Sequence, residues 1–231
     1  MREFRTIIKY VLRHTQPTLA ILAMLVANQM VTSNRAHAHP HVWVSVKTEV
    51  VFKNGNVTGF RHSWTFDDMY TAMAIQGLDK NKDGAYDRDE LKELAQVNMD
   101  GLKQFSYFTH AKLSEEKLLT GAPQDYWLEH KDGILTLHFF LPLTEPVLAE
   151  APQFTFSVYD PSFFIAFDFA KVAPIKISTN APAGCGAKLS EPKSGATGDV
   201  QALGEAFFNE LGGEDFGSSL ARTVSIDCAS S

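Results

Sequence analysis

Residues 41–66 alternate apolar and polar side chains through two consecutive runs, and no other pattern in the chain limits its fold as strongly. Val42, Val44, Val46, Val50 and Phe52 fall on one side of an extended chain, while Trp43, Ser45, Lys47 and Glu49 fall largely on the other. Side chains of a strand point alternately to its two faces, so a period of two marks a strand buried on one side. Lys53-Asn54-Gly55-Asn56 comes next. Asn-Gly accepts the positive φ of a tight hairpin turn, so residues 57–66 return as an antiparallel partner.

At Asp67-Asp68 the period changes. Met69, Tyr70, Met73, Ala74 and Leu78 recur at helical spacing, with the two carboxylates where a helix N-terminus favours negative charge. A second helix is expected over about 87–104, with Leu91, Leu94, Ala95, Met99 and Leu102 on its apolar side. Beyond Phe105 the pattern is extended again. A hairpin about Lys131-Asp132-Gly133 joins residues 126–130 to 134–141, and 154–159, 163–169 and 175–178 are further strands. The fold class expected is α+β: mainly antiparallel β with a sandwich-like core, an inserted helix–calcium loop–helix unit at about 67–104, and a C-terminal helix near 199–211.

The twelve residues between the two helices carry the clearest chemistry. Calcium takes six to eight hard oxygen ligands, and a 12-residue loop supplies them from fixed positions. Asp79, Asn81 and Asp83 occupy the first, third and fifth, and Gly84 makes the sharp turn at the sixth. Ala85 offers its carbonyl at the seventh, Asp87 serves the ninth directly or through water, and Glu90 closes the site at the twelfth. Tyr86, at the eighth, faces the core. Extracellular modules of this kind bind calcium weakly and hold it as a structural brace more often than as a signal.

Residues 1–38 read as a cleaved signal peptide. Arg2 to His14 is basic, Thr18 to Ala27 is an apolar stretch too short to span a bilayer, and Ala36-His37-Ala38 is a small-x-small cleavage site. Residues 39–231 then form a single periplasmic domain with no membrane span. Cleavage removes five basic residues and one acid and takes the formal charge from −6 to −10. That balance repels phosphate backbones, so nucleic acid is excluded as a partner. With 45% hydrophobic and 21% charged residues, the chain has the makings of a packed core and is not of the disordered class. Export also predicts that Cys185 and Cys228, in two extended segments, form a disulfide.

The same cleavage exposes His39-Pro40-His41. A free amine and two imidazoles suit zinc, nickel or copper. Pro40 lacks the amide nitrogen of a square-planar N-terminal chelate, so the clamp requires a distant histidine, with His110 and His138 as candidates. His62 alternates with Phe60, Trp64 and Phe66 and is expected to be a hydrogen-bonded core histidine, and His130, beside an Asp-Gly turn, to be solvated. The sequence contains no GxSxG elbow, HExxH helix, P-loop or dinucleotide fingerprint, which points away from the commoner enzyme classes.

Taken together, the segments Ala-His-Pro-His-Val-Trp-Val at 38–44, Trp-Thr-Phe-Asp-Asp-Met-Tyr at 64–70, the loop at 79–90 and Tyr-Asp-Pro-Ser-Phe-Phe at 159–164 resemble the bacterial periplasmic family known as domain of unknown function 1007. The resemblance implies a periplasmic component of a transport system, working beside an inner-membrane permease of the NicO type for nickel, cobalt or zinc. The expected function is therefore an accessory or binding protein for divalent transition-metal transport, braced by calcium. The alternatives are a calcium-stabilised interaction module without a transported ligand, and a copper enzyme with an N-terminal histidine clamp.

Overall fold

The computed structural model describes residues 40–191 and 216–228, which belong to one compact unit, Ala38–Ser231. The expected leader over 1–38, His39 and the expected helix near 199–211 lie outside the described residues.

Two sheets make the framework. The first is built on β1 (Val42–Lys53) and β2 (Asn56–Phe66), paired antiparallel through a turn in which Asn54 has φ 51° and Gly55 φ 74°. Positive φ at both central residues is what the Asn-Gly pair anticipates. β5 (Gln124–Lys131) and β6 (Ile134–Leu148) form the second hairpin, and β6 pairs with β2. On its other edge β1 is flanked in parallel by β8 (Ile165–Phe169) along Val42–Val46 and by β9 (Ile175–Ile177) along Thr48–Val50. The strand order is β5-β6-β2-β1-β8, with β9 beside β1. The second sheet contains β3 (Thr109–Leu113), β4 (Glu116–Leu118), β7 (Phe154–Val158), β10 (Cys185–Leu189) and β11 (Thr223–Cys228), in the order β10-β11-β7-β3-β4, all antiparallel.

The facing sides of the sheets meet in one core. Phe60 of β2 lies 4.6 Å from Phe156 and 6.3 Å from Phe154 of β7 between ring centroids, and Trp64, Phe139, Leu137 and Val224 are fully buried with them. Each large side chain buried in this way contributes about 1.5–3 kcal/mol relative to leaving it exposed. The fold is thus α+β, mainly antiparallel, with a parallel edge the sequence pattern did not reveal.

Two helices are inserted between β2 and β3. α1 (Asp68–Ala74) begins at Asp67, whose carboxylate accepts the Tyr70 N–H at 2.7 Å and the Trp43 N–H at 2.8 Å, so one residue caps the helix and fixes it to β1. Its buried side is set by Thr71, whose hydroxyl accepts the Leu135 N–H, whereas Met69 and Met73 point to solvent. Helical spacing identified the element but not its inward face. α2 (Arg88–Leu102) packs Leu91, Ala95 and Met99 into the core and ends in a 3-10 turn, Lys103–Phe108, in which Ser106, Tyr107 and Phe108 take positive φ.

β10 and β11 place Cys185 opposite Cys228, and the two form a disulfide. A closed loop of this size lowers the entropy of the unfolded chain by about 4 kcal/mol in free-energy terms. A short helix, α3 (Phe216–Leu220), precedes β11 and rests on the 160–161 peptide, where the Gly217 N–H donates to the Pro161 carbonyl.

Candidate metal centre

The segment from Asp79 to Glu90 is organised by its own carboxylates. The Gly84 N–H donates to Asp79 Oδ2 at 3.1 Å, the Asp83 N–H to Asn81 Oδ1 at 2.9 Å, and the Ala85 N–H to Asp83 Oδ1 at 2.8 Å. Asp87 caps α2, accepting from the Asp89 and Glu90 N–H groups, and Glu90 returns a bond to the Asp87 N–H, a capping box. Glu90 is buried, and its Oε1 also accepts the Lys80 N–H at 2.8 Å and the Asn81 N–H at 3.3 Å. One carboxylate therefore fastens the first and last turns of the loop together.

Two features bear on a hard cation. Asp79 Oδ1 is buried without a hydrogen-bond partner, and a buried carboxylate oxygen left in that state costs free energy. The chain also sets four carboxylates and an amide at the first, third, fifth, ninth and twelfth positions of a tight loop, against Lys80, Lys82 and Arg88 as the nearby cations in sequence. All the expected donors are hard oxygens, a set that suits calcium, magnesium or manganese better than zinc, nickel or copper. Among the described residues, no three His, Cys, Asp or Glu side chains converge into a metal-ligand cluster, because the loop carboxylates are turned toward backbone N–H groups.

The histidines divide into different neighbourhoods. His62 is fully buried between the sheets. Thr109 donates its hydroxyl proton to the Tyr107 carbonyl, so it accepts from His62 Nε2–H, and Thr48 donates to Nδ1 at 2.9 Å. Burial pushes its pKa down from 6.5 to about 3, so it is a neutral core residue, as the alternation anticipates. His130, by contrast, is half-buried, edge-on to Tyr86 at 4.8 Å, and not simply solvated.

His138 lies between the buried Leu137 and Phe139 of β6 and so points out from the first sheet; it bonds Ser63 Oγ through Nδ1 and stacks on Trp127 at 3.8 Å. His110 lies between the buried Thr109 and Ala111 of β3 and points out from the second sheet, beside Lys112 and Thr155 in a polar cavity of about 550 Å³. The whole thickness of the sandwich separates them, and they cannot share an ion. Both pKa values are lowered, chiefly by burial, which keeps the imidazoles neutral and available as ligands.

His41 and His110 do share a neighbour. The Tyr159-to-Phe164 segment carries Tyr159, whose ring stacks on His110 at 3.9 Å and whose carbonyl accepts His110 Nε2–H, and Phe164, whose ring lies 4.7 Å from His41 and whose carbonyl accepts the His41 N–H. Buried Asp160 shapes this turn by accepting from the Ser162 N–H, the Ser162 hydroxyl and the Ile165 N–H. The Asp-Pro-Ser sequence could have signalled it, since an Asp side chain commonly bonds the backbone two residues on.

Fold and site together define an α+β protein in which two helices and an acid-lined loop are set into a β framework. The chain belongs to the family described as proteins of unknown function, DUF1007, whose model matches residues 24–228. It is similar to an uncharacterized protein of Haemophilus influenzae, 25% identical over 193 residues, which is 83% of this chain and 91% of that protein. It is also similar to an uncharacterized 15.5 kDa protein of Spirochaeta aurantia, 33% identical over 103 residues, covering 45% of this chain and 73% of that one. The family resemblance carried by the four sequence segments is thereby confirmed.

Proposed function

We propose that this protein is an exported accessory protein of divalent transition-metal transport, working beside an inner-membrane permease, and that its 79–90 loop holds calcium as a structural brace. The observation that carries the calcium reading is the orphaned, buried Oδ1 of Asp79 at the first ligand position of a loop with a hard-oxygen residue at every other one. A cation there would satisfy that oxygen. The Cys185–Cys228 disulfide is compatible with export, and the absence of a helix long and apolar enough to cross a membrane among the described residues fits a partner that supplies the pore.

For the transition metal, the shared turn supports one pairing. His41 and His110 flank residues 159–164, so the clamp built on His39 and His41 takes His110 as its distant ligand in preference to His138. His110 Nε2–H is committed to Tyr159, which leaves Nδ1 as its donor atom.

Titration calorimetry tests both parts. Calcium should bind the wild-type chain and bind Glu90→Gln more weakly; at ten times its dissociation constant it should add about 1.4 kcal/mol of stability. With calcium saturating, zinc or nickel should bind the form beginning at His39. Adding a residue ahead of His39, or His110→Ala, should weaken that binding, and His138→Ala should leave it unchanged. Equal binding by all these forms removes the clamp, and an unchanged melting curve in calcium removes the brace.

A further inference from the structure

The outward face of the second sheet sets two lysines and a histidine beside a polar cavity, in a chain whose net charge is −6. β3 buries Thr109 and Ala111, so His110 and Lys112 point away from the core. Residues directly opposite in an antiparallel ladder share a face. Lys112 stands opposite Lys117 of β4 on one side and Thr155 of β7 on the other. In the next outward row His110 stands opposite Ser157, which is itself opposite Thr223 of β11. Neither lysine forms an ion pair among the described residues, so both ammonium groups are left for a ligand.

The cavity measures about 550 Å³, room for an organic molecule and far more than one inorganic ion fills. Thr155, Ser157 and Thr223 line it from the sheet, and Glu115 of the β3–β4 turn and Ala221 beyond α3 line it from the sides. Of the described residues around it Ala221 alone has no polar side-chain atom, so an apolar ligand would strand donors and acceptors.

Charge and hydrogen bonding narrow the ligand further. Lys112 and Lys117 against Glu115 leave a single positive charge, which matches one carboxylate and falls short of a phosphate dianion. His110 is neutral: burial lowers its pKa, and Lys117 and Lys112 add to the lowering against the bond to Tyr159. With its Nε2–H committed to the Tyr159 carbonyl, Nδ1 offers a lone pair, which calls for a hydroxyl. Ser157 and Thr223 share one hydrogen bond of 3.1 Å between two hydroxyls, so one proton of the pair remains to donate.

We propose that this cavity binds a polyhydroxylated monocarboxylate of the sugar-acid class, its carboxylate on Lys112 and its hydroxyls on Thr155, the Ser157–Thr223 pair and His110 Nδ1. Lys117 strengthens the field at the carboxylate from the neighbouring strand, and Glu115 opposes a second negative charge. The proposal rests on neither metal reading. A metal ion on His110 Nδ1 would displace a hydroxyl there, so binding is measured on metal-free protein.

Calorimetry on the full chain at low ionic strength tests it, with gluconate and glycerate as probes. Gluconate should bind at least ten-fold more tightly than sorbitol, which has the hydroxyls without the charge, and than hexanoate, which has the charge without the hydroxyls. Lys112→Gln should weaken gluconate binding about ten-fold, the loss of one charge-assisted hydrogen bond. Thr155→Val should weaken it several-fold and Glu115→Gln should tighten it. Lys47→Gln, on the outward face of the first sheet, should leave it unchanged. Lys112, Glu115 and Lys47 are exposed, so these variants should keep the wild-type melting temperature and report on binding alone. Binding of neither acid, equal losses for Lys112→Gln and Lys47→Gln, or sorbitol binding as tightly as gluconate would each overturn the proposal. Tighter binding of glycerol 3-phosphate would assign the cavity to phosphate esters and overturn it as well.

Discussion

His62 gives the most quantitative prediction, because its environment is closed on all sides. Its ring is buried between Phe60, Trp64 and Phe139, and both nitrogens are satisfied in the neutral form by Thr48 and Thr109. Its pKa falls from 6.5 to about 3 because the imidazolium would lose its hydration there. The unfolded chain takes up a proton as the pH drops below 6.5, whereas the folded one does not until about 3. Over that window the unfolded state binds more protons, so stability present above pH 6.5 is lost as the pH falls, by up to about 1.4 kcal/mol per unit. Between about pH 7 and about pH 4.5 the loss from this one group is ~2.5 kcal/mol. His62→Gln keeps a donor and an acceptor but cannot titrate. Urea unfolding of both proteins across this range, at fixed calcium, should show the stability difference shifting in favour of the variant by that amount. Carboxylates common to both cancel in the comparison. Parallel pH profiles for the two proteins would show that the imidazole does not remain neutral in the core, and the reasoning would be wrong.

Two further substitutions follow from single contacts. Asp67→Ala removes the α1 cap and the acceptor of the Trp43 N–H together, and urea unfolding should show a loss of about 1–2 kcal/mol, with Asp67→Asn recovering part of it; no loss would deny the double role. At Gly217 a Cβ would stand 1.7 Å from the Asp160 carbonyl oxygen, so Gly217→Ala should lift α3 from the turn and lower stability by about 1–3 kcal/mol, read by thermal unfolding, while an unchanged melting temperature would mean that α3 does not bear on that peptide.

What the sequence disclosed was what is local. The alternation from Val42 to Phe66 and the Asn-Gly turn depend on period and turn chemistry alone, and both hairpins occur where those signals lie. The helix starting near residue 87 was also legible, but in sequence Asp87 and Glu90 stand only as ligands, whereas in the structure they form a capping box. What needed three dimensions was everything set by partners distant in the chain. Met69 and Met73 share a helical period with Tyr70 and Ala74, but α1 turns inward on Thr71 because its hydroxyl meets the Leu135 N–H. A hydrophobic pattern cannot anticipate a polar anchor. Likewise β8 begins at Ile165, not Phe163, because Asp160 holds the intervening turn. His110 and His138 stood equally in the sequence as candidates for the distant ligand; which sheet each strand joins decides that they face opposite ways. The guanidinium of Arg88 lies 4.0 Å from the centre of the Trp127 ring, a contact that carries no sequence signal, since nothing local relates a helix start to a strand beginning near residue 124.

The placement of β1 has a consequence for how the molecule is made. One edge of this strand is filled at once by β2, through a two-residue turn, but the other waits for β8 and β9, more than a hundred residues further along the chain. Contacts of such long sequence separation form late, and until they do the strand presents an open row of backbone donors and acceptors. A growing chain therefore has no complete first sheet until residues 165–177 are made. The same delay makes the unfinished molecule dependent on protection from its own kind until the last third of the chain has arrived.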